Sequence, residues 1–478
     1  MPLYLGLDCG VQSLRAIVIE VEGVHRRTVF QHALNFDRDL SVYGTTAGVC
    51  HGSDPGDTHA SPIMWADALD RMMALLATTA EVDVHQIGAI SGSAQQHATV
   101  YLNRHARDAW RSFDHTRPLA PQLVGAFSRL ESPVWLDASV SEQIRDCHDR
   151  NPGAYAATTR IHTVGSFLAS LLAGGDAPID FGDGSGTGLM DLSAGDWSPA
   201  ALDATAPGLR MRLPDLRPSS TIAGPLAAYW RDRYSMPAAS VVVWCGDRPS
   251  TLIGTGVVTE GTLAVSLGTS DTVVASTREP RPGSSHVFAS PTGAFASMVR
   301  FHNGSLAREF IRCEHGLDWS AFWRRFDETP AGNDGAFMLP WLEDELTPQV
   351  RYRGIRRFGF GAGHPARDVR AIVEAQMMAM ANHAAEIAAA PIVRIVATGD
   401  GTIAQAMLQI IADTCAARSA SWNAAVRPAW ARRCAPITRI GCIKVGRSSG
   451  QAWCAGSPTH WRSSRWTQFR PTSRSMRS

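Results

Sequence analysis

Residues 241–272 read VVVWCGDRPSTLIGTGVVTEGTLAVSLGTSDT, and the fold follows from how this stretch is parsed. Val241, Val242 and Val243 are β-branched and apolar, the composition of a buried strand. The run stops at Gly246-Asp247, which puts a carboxylate where a central strand leaves its sheet. Ligands of α/β sheets gather at such carboxyl ends. A second apolar run over 263–267 breaks at Gly268-Thr269-Ser270, a small, hydroxyl-rich turn. Its N–H groups can approach an anion with no Cβ in the way. A carboxylate and a phosphate-sized turn on neighbouring strands point to phosphoryl transfer. Taken alone, two buried strands with ordinary turns account for the stretch better.

The N-terminus repeats the pattern. Leu7-Asp8-Cys9-Gly10-Val11-Gln12-Ser13 resembles Val265-Ser266-Leu267-Gly268-Thr269-Ser270-Asp271, and each passes from an apolar strand through a Gly turn into a second β-rich run. Two such units this far apart predict an α/β protein of two related domains. The layout resembles that of actin-like ATPases and sugar kinases, in which each domain offers a hairpin to the nucleotide phosphates.

At 478 residues two domains are the natural division, and 45% apolar with 19% charged residues describes an ordinary globular chain. No apolar run is long enough to span a bilayer, and with a strand entered at once no signal peptide is expected. The nine cysteines show no CxxC pair or metal-like spacing, so a reduced, cytoplasmic setting is expected. The net charge of +1 hides an asymmetry: the 65 residues after Asp413 hold 12 Arg or Lys and no Asp or Glu. A basic stretch with aromatics can bind nucleic acid. The same stretch lacks any helical or strand period, and an out-of-frame or disordered tail is the favoured reading.

Along the chain, 3–20 reads as a hairpin and roughly 64–79 as an amphipathic helix. Residues 87–91 form a strand ending in Gly92-Ser93-Ala94-Gln95-Gln96-His97. Ile161, Val164, Phe167, Leu168, Leu171 and Leu172 mark a helix closed by Gly174-Gly175. Residues 180–191 are loop by composition, and 214–240 read as the passage between domains. A helix carrying Val373, Met377, Met380, Ala384 and Ile387 precedes Pro391. Then come a strand over 393–397, the turn Thr398-Gly399-Asp400-Gly401-Thr402, and a helix with Met407, Leu408, Ile410 and Ile411.

Taken in order, LGLDCGVQSLR, SGSAQQHATVYL, SFLASLLAG, DFGDGSGTGLMDL, WCGDRPSTLIGTG, SLGTSDT, HVFASP with NGSLARE, and ATGDG resemble the FGGY family of carbohydrate kinases, and within it the xylulokinases. The resemblance covers about residues 3–415. It implies two ribonuclease-H-like domains: a sugar-side domain over 1–240, an ATP-side domain over 241–415, and a basic, aperiodic tail over 416–478. It also implies transfer of the γ-phosphoryl group of ATP, with Mg²⁺, to a ketopentose such as D-xylulose. Asp247 matches the catalytic base, which takes the proton of the attacking hydroxyl. Asp8 matches the metal-associated carboxylate, a role suited to Mg²⁺ with its few carboxylates and many phosphate and water oxygens. Gln96, His97 and Arg248 fall at sugar-contacting positions. Gly10 and Ser13, then Gly268, Thr269 and Ser270, match the two phosphate turns, and Gly399, Asp400 and Gly401 match the adenosine turn.

Some positions depart from the family. Val11 replaces a hydroxyl residue, and Arg248 replaces an Asn that touches sugar, with the capacity to pair with Asp247 and quench it. Asp400 puts a carboxylate into the adenosine turn, and Ala404 stands at an expected Asn. Residues 138–150 are too few for the family's sugar-binding Arg segment. Past Asp413 the expected apolar strand and helix are missing, which predicts an open apolar face on the second sheet. A degenerate kinase and an actin-like ATPase scaffold are therefore the alternatives. The sequence sets no oligomeric state, and neither a membrane nor a nucleic acid is an expected partner.

Overall fold

The computed structural model describes residues 2–23, 25–52, 58–96, 98–134, 139–268, 270–281, 286–399, 405–415 and 418–421. All of these belong to one compact unit, residues 1–445, and residues 446–478 lie outside the described residues.

The strands that matter for the site are β1 (Leu3–Cys9), β2 (Ser13–Glu22), β3 (His25–Asn35), β4 (Ile87–Ala94), β5 (Ser240–Val242), β6 (Thr262–Leu267), β7 (Asp271–Thr277), β8 (Phe295–Phe301), β9 (Arg394–Gly399) and β10 (Arg418–Ser421). In the first sheet β1, β2 and β3 form an antiparallel meander, and β4 then β5 add in parallel beyond β1. In the second sheet β6, β7 and β8 form the meander, and β9 then β10 add in parallel beyond β6. The short sequence repeat is thus the visible part of a repeated five-strand topology.

Helices pack on these sheets for local reasons. Helix α1 (Pro62–Thr78) starts with Pro, whose missing N–H costs nothing at that position, and buries Met64, Trp65, Leu69, Met72, Met73 and Leu76. Helix α2 (Val164–Ala173) opens on a Thr163–Ser166 capping box and stops at Gly174, whose φ of 71° suits a residue without Cβ. Both helices contribute to the core of the first sheet. On the second sheet alternate residues sort by face. Leu263, Val265, Val273, Val299 and Ile395 join the core built with α6 (Pro365–Ile387), while Ala264, Ala296 and Val396 join a smaller cluster with Leu252 and Val257.

Several expectations are corrected here. Val241 does not open the second domain: β5 pairs with β4, and Cys245–Gly246 also pairs with β4, so both belong to the first sheet. The crossover between sheets falls between helix α4 (Asp247–Thr255) and β6. The carboxylate and the phosphate-sized turn therefore come from different sheets, not neighbouring strands. Ile222–Pro225, expected in the passage between domains, is the edge strand beside β5. Ile161 lies in a strand, Arg160–Thr163, ahead of α2. The DFGDGS stretch is not loop throughout: Asp180 caps a short helix, α3 (Phe181–Ser185). The sequence past Asp413 is not devoid of structure, because Arg418–Ser421 occupies the β10 position beside β9. On the second sheet Ala264, Ala296 and Val396 are buried together with Leu252 and Val257. Residues 422–478, the bulk of the tail, lie outside the described residues. Among the described residues no helix is long and apolar enough to cross a membrane.

Candidate active site

Strand register builds the first half of the site. Cys9 on β1, Ala94 on β4 and Gly246 stand on one rung of the sheet, and Asp8, Ser93 and Cys245 stand on the rung before it. The three chain segments leave the sheet together, delivering Gly10, Gln95-Gln96 and Asp247 to one edge. Asp8 and Cys245 stand two strand spacings apart, about 10 Å, and Asp247 follows Cys245 by two residues. Asp8 is buried, and Ser93 Oγ donates to its Oδ1 at 2.6 Å. Asp247 is half-buried at the first position of α4.

The two turns are alike in being open. A Cβ on Gly10 would meet nothing closer than Ser13 O at 3.8 Å, and one on Gly268 nothing closer than Ser270 O at 3.5 Å. The protein itself thus leaves space where each glycine sits, which suits a phosphate approaching the backbone. The turns differ in how they close. Gly10 N donates to the backbone carbonyl of Ser13 at 2.9 Å, whereas Gly268 N donates to the Asp271 side chain, Oδ1, at 3.0 Å. Leu267 and Gly399 share a rung of the second sheet, so β9 ends beside Gly268.

Behind Asp247 lies a buried acidic wall that sequence reading missed. Asp180 accepts from the backbone N–H groups of Gly182 and Asp183 and from Ser219 Oγ, at 3.0, 2.7 and 2.6 Å. Burial raises its pKa. Burial also pushes the Asp183 carboxyl up to about 7, and the negative charges of Asp180 and Asp247 add to the rise against hydrogen bonds from Thr163 and Gln96. The available signal was two Asp residues three apart beside glycines, the pattern of a helix N-terminus, which the Gly-rich composition masked.

Gln96 is 9% exposed and wedged between two glycines: a Cβ on Gly186 or on Gly246 would lie 2.6 Å from its Nε2. Its amide faces Asp183 and the Gly182 carbonyl, so it forms part of the wall beside Asp247. Arg248 follows Asp247 as an exposed residue. Residues 139–150 carry the helix Val140–Arg150 on a Ser139–Glu142 capping box. His97, Thr269, Asp400, Gly401 and Ala404 lie outside the described residues. Ser185 Oγ accepts from the N–H of Ala289 at 3.1 Å, tying α3 to the second sheet.

Comparison with known proteins places this architecture. Residues 135–254 match the N-terminal domain of the FGGY family of carbohydrate kinases, and residues 263–419 match its C-terminal domain. The chain belongs to the FGGY family. The gap between the matched segments coincides with the crossover from α4 to β6, and the second match ends within β10. Among curated relatives, xylulose kinase 2 of Arabidopsis thaliana is 34% identical, over 86% of this chain and 82% of that protein. The xylulose kinase of Mus musculus is 32% identical, over 86% of this chain and 81% of that one. Among solved structures, xylulose kinase from Rhodospirillum rubrum superposes with a TM-score of 0.70 at 18% identity, covering 88% of this chain and 86% of that one. Plasmodium falciparum glycerol kinase with ADP gives 0.68 at 14% identity, covering 88% and 86%. The two structural likenesses fix the fold, that of the actin-like ATPase class. The chain is an ATP-dependent carbohydrate kinase of FGGY type.

Proposed function

We propose that this FGGY kinase phosphorylates a ketopentose, D-xylulose giving D-xylulose 5-phosphate. The supporting observation is the shared rung that brings the Asp8, Gln96 and Asp247 segments to one sheet edge. Asp247 accepts the proton of the sugar hydroxyl as that oxygen attacks the γ-phosphorus, and the terminal P–O bond of ATP breaks to release ADP. A cleft carboxylate in hydrogen-bond reach is the base such a step needs. Gly10 with Ser13, and Gly268 with Thr269 and Ser270, receive the phosphates, and Gly399, Asp400 and Gly401 border the adenosine. Gln96, His97 and Arg248 contribute to the sugar side.

The residues present fit Mg²⁺. Asp8 is a carboxylate at the strand end that accepts from Ser93, which suits an ion held by few carboxylates plus phosphate and water oxygens. Bound there, the ion would neutralise phosphate charge, while holding and orienting the carboxylate falls to Ser93. The proposed sugar-side domain ends with α4, and the proposed ATP-side domain runs from β6 to β10.

The test is sugar-dependent ADP release across a panel of ketoses, with Asp247→Ala beside the parent chain. D-Xylulose is expected to turn over fastest, and the variant is expected to lose on the order of 10²–10⁴-fold. Unchanged turnover in Asp247→Ala overturns the assignment of the base, and preference for another sugar overturns that of the substrate.

A further inference from the structure

We propose that Arg308 is a positioning residue for the second phosphate turn, acting through Asp271; the inference rests on the reading of Gly268–Ser270 as a phosphate turn. In the chain's internal repeat, Asp271 stands where the first turn has Ser13. The first turn closes with a backbone acceptor, which no side-chain substitution can remove. The second closes with the Asp271 carboxylate, so its shape depends on that carboxylate staying charged and in place.

Asp271 is fully buried, and an isolated carboxylate there would be costly. Arg308, one turn into helix α5 (Ser305–Glu314), supplies the countercharge, donating from Nη1 to Oδ2 at 3.0 Å and from Nη2 to Oδ1 at 3.3 Å. Arg308 is itself only 5% exposed. Its Nη1 also donates to Gln376 Oε1 at 2.7 Å, and Gln376 Nε2 donates to the carbonyls of Asn303 and Gly304 at 2.7 and 2.9 Å. Asn303 Nδ2 donates to Glu345 at 2.8 Å. The N–H of Ser305 donates to the Gly268 carbonyl at 2.8 Å. Gly268 is therefore held at its N–H by Asp271 and at its carbonyl by the start of α5, with Arg308 joining the two holds through a relay that reaches α6.

A buried ion pair is a poor way to gain stability, because hydrophobic residues of equal volume serve as well or better. What this pair provides is direction. Donors fixed before the phosphate arrives need no reorganisation during transfer. With the guanidinium gone, Asp271 takes up a proton, releases the Gly268 N–H, and lets the turn relax.

The test uses the full chain with Arg308→Lys, Arg308→Met and Gln376→Leu. Hydrogen exchange is followed in the peptide over 263–272 and, as an internal control, in the peptide over 5–14. Calorimetry measures inorganic triphosphate and adenosine separately. The expected result is faster exchange in the 263–272 peptide alone and triphosphate binding weakened on the order of 100-fold in Arg308→Met. Arg308→Lys and Gln376→Leu should be intermediate, with adenosine affinity unchanged in all three. Should Arg308→Met fail to fold, the other two carry the test. A folded variant whose turn exchange or triphosphate affinity matches the parent overturns the inference, as does equal loss of adenosine binding. A parent chain that does not bind triphosphate overturns the phosphate-turn reading as well, which separates the two failures.

Discussion

Replacing Asp183 by Asn should stabilise this protein at pH 8 and do little at pH 4. The Asp183 carboxyl is raised from an ordinary 3.8 to about 7, chiefly by burial and then by the charge of Asp180. A carboxyl whose pKa rises on folding binds its proton more tightly in the folded state. The stability tied to that proton is fully present below about 3.8 and is lost as the pH climbs through about 7. At ~1.4 kcal/mol per pKa unit, the loss amounts to about 4 kcal/mol. Asn matches the carboxyl in shape but has no proton to lose, so the variant keeps what the parent forfeits. The groups that face position 183 are Asp180, Asp247, Thr163 and Gln96. In thermal melts the variant should gain on the order of 5–10 °C over the parent at pH 8, shrinking towards zero by pH 4. A variant that melts below the parent at pH 8, by a margin no smaller than at pH 4, would show that Asp183 is not held protonated by its surroundings.

Two further outcomes follow from the site. Ser93→Ala removes the hydroxyl that donates to Asp8 and should raise the Mg²⁺ concentration for half-maximal activity on the order of 10-fold, leaving the sugar KM in place; an unchanged Mg²⁺ titration counts against Asp8 as the metal carboxylate. Calorimetry on the parent chain should find inorganic triphosphate bound more tightly than adenosine, because both Gly turns are open to phosphate while Asp400 and Ala404 depart from the adenosine pattern; the reverse order would refute that division.

The sequence alone determined the units of this protein. Strand, Gly turn and strand at both 7–13 and 265–271 specified the two hairpins, because local composition sets where an apolar strand must break. The acidic residue at each decisive strand end, Asp8 and Asp247, was legible for the same reason. Tertiary structure decided the partners. The valine run at 241–243 reads as buried from its composition, yet composition names no neighbouring strand, and only the pairing with β4 assigns it to the first sheet. The buried wall of Asp180, Asp183 and Gln96 could not be read in advance, since its members meet from separate segments and their protonation follows from burial. The relay behind the second turn is likewise tertiary: Arg308 meets Asp271 across 37 residues and Gln376 across 68. Local sequence fixes which side chain a segment carries and which way its backbone turns. The dielectric around that side chain, and the charge set opposite it, exist only once distant segments are packed together.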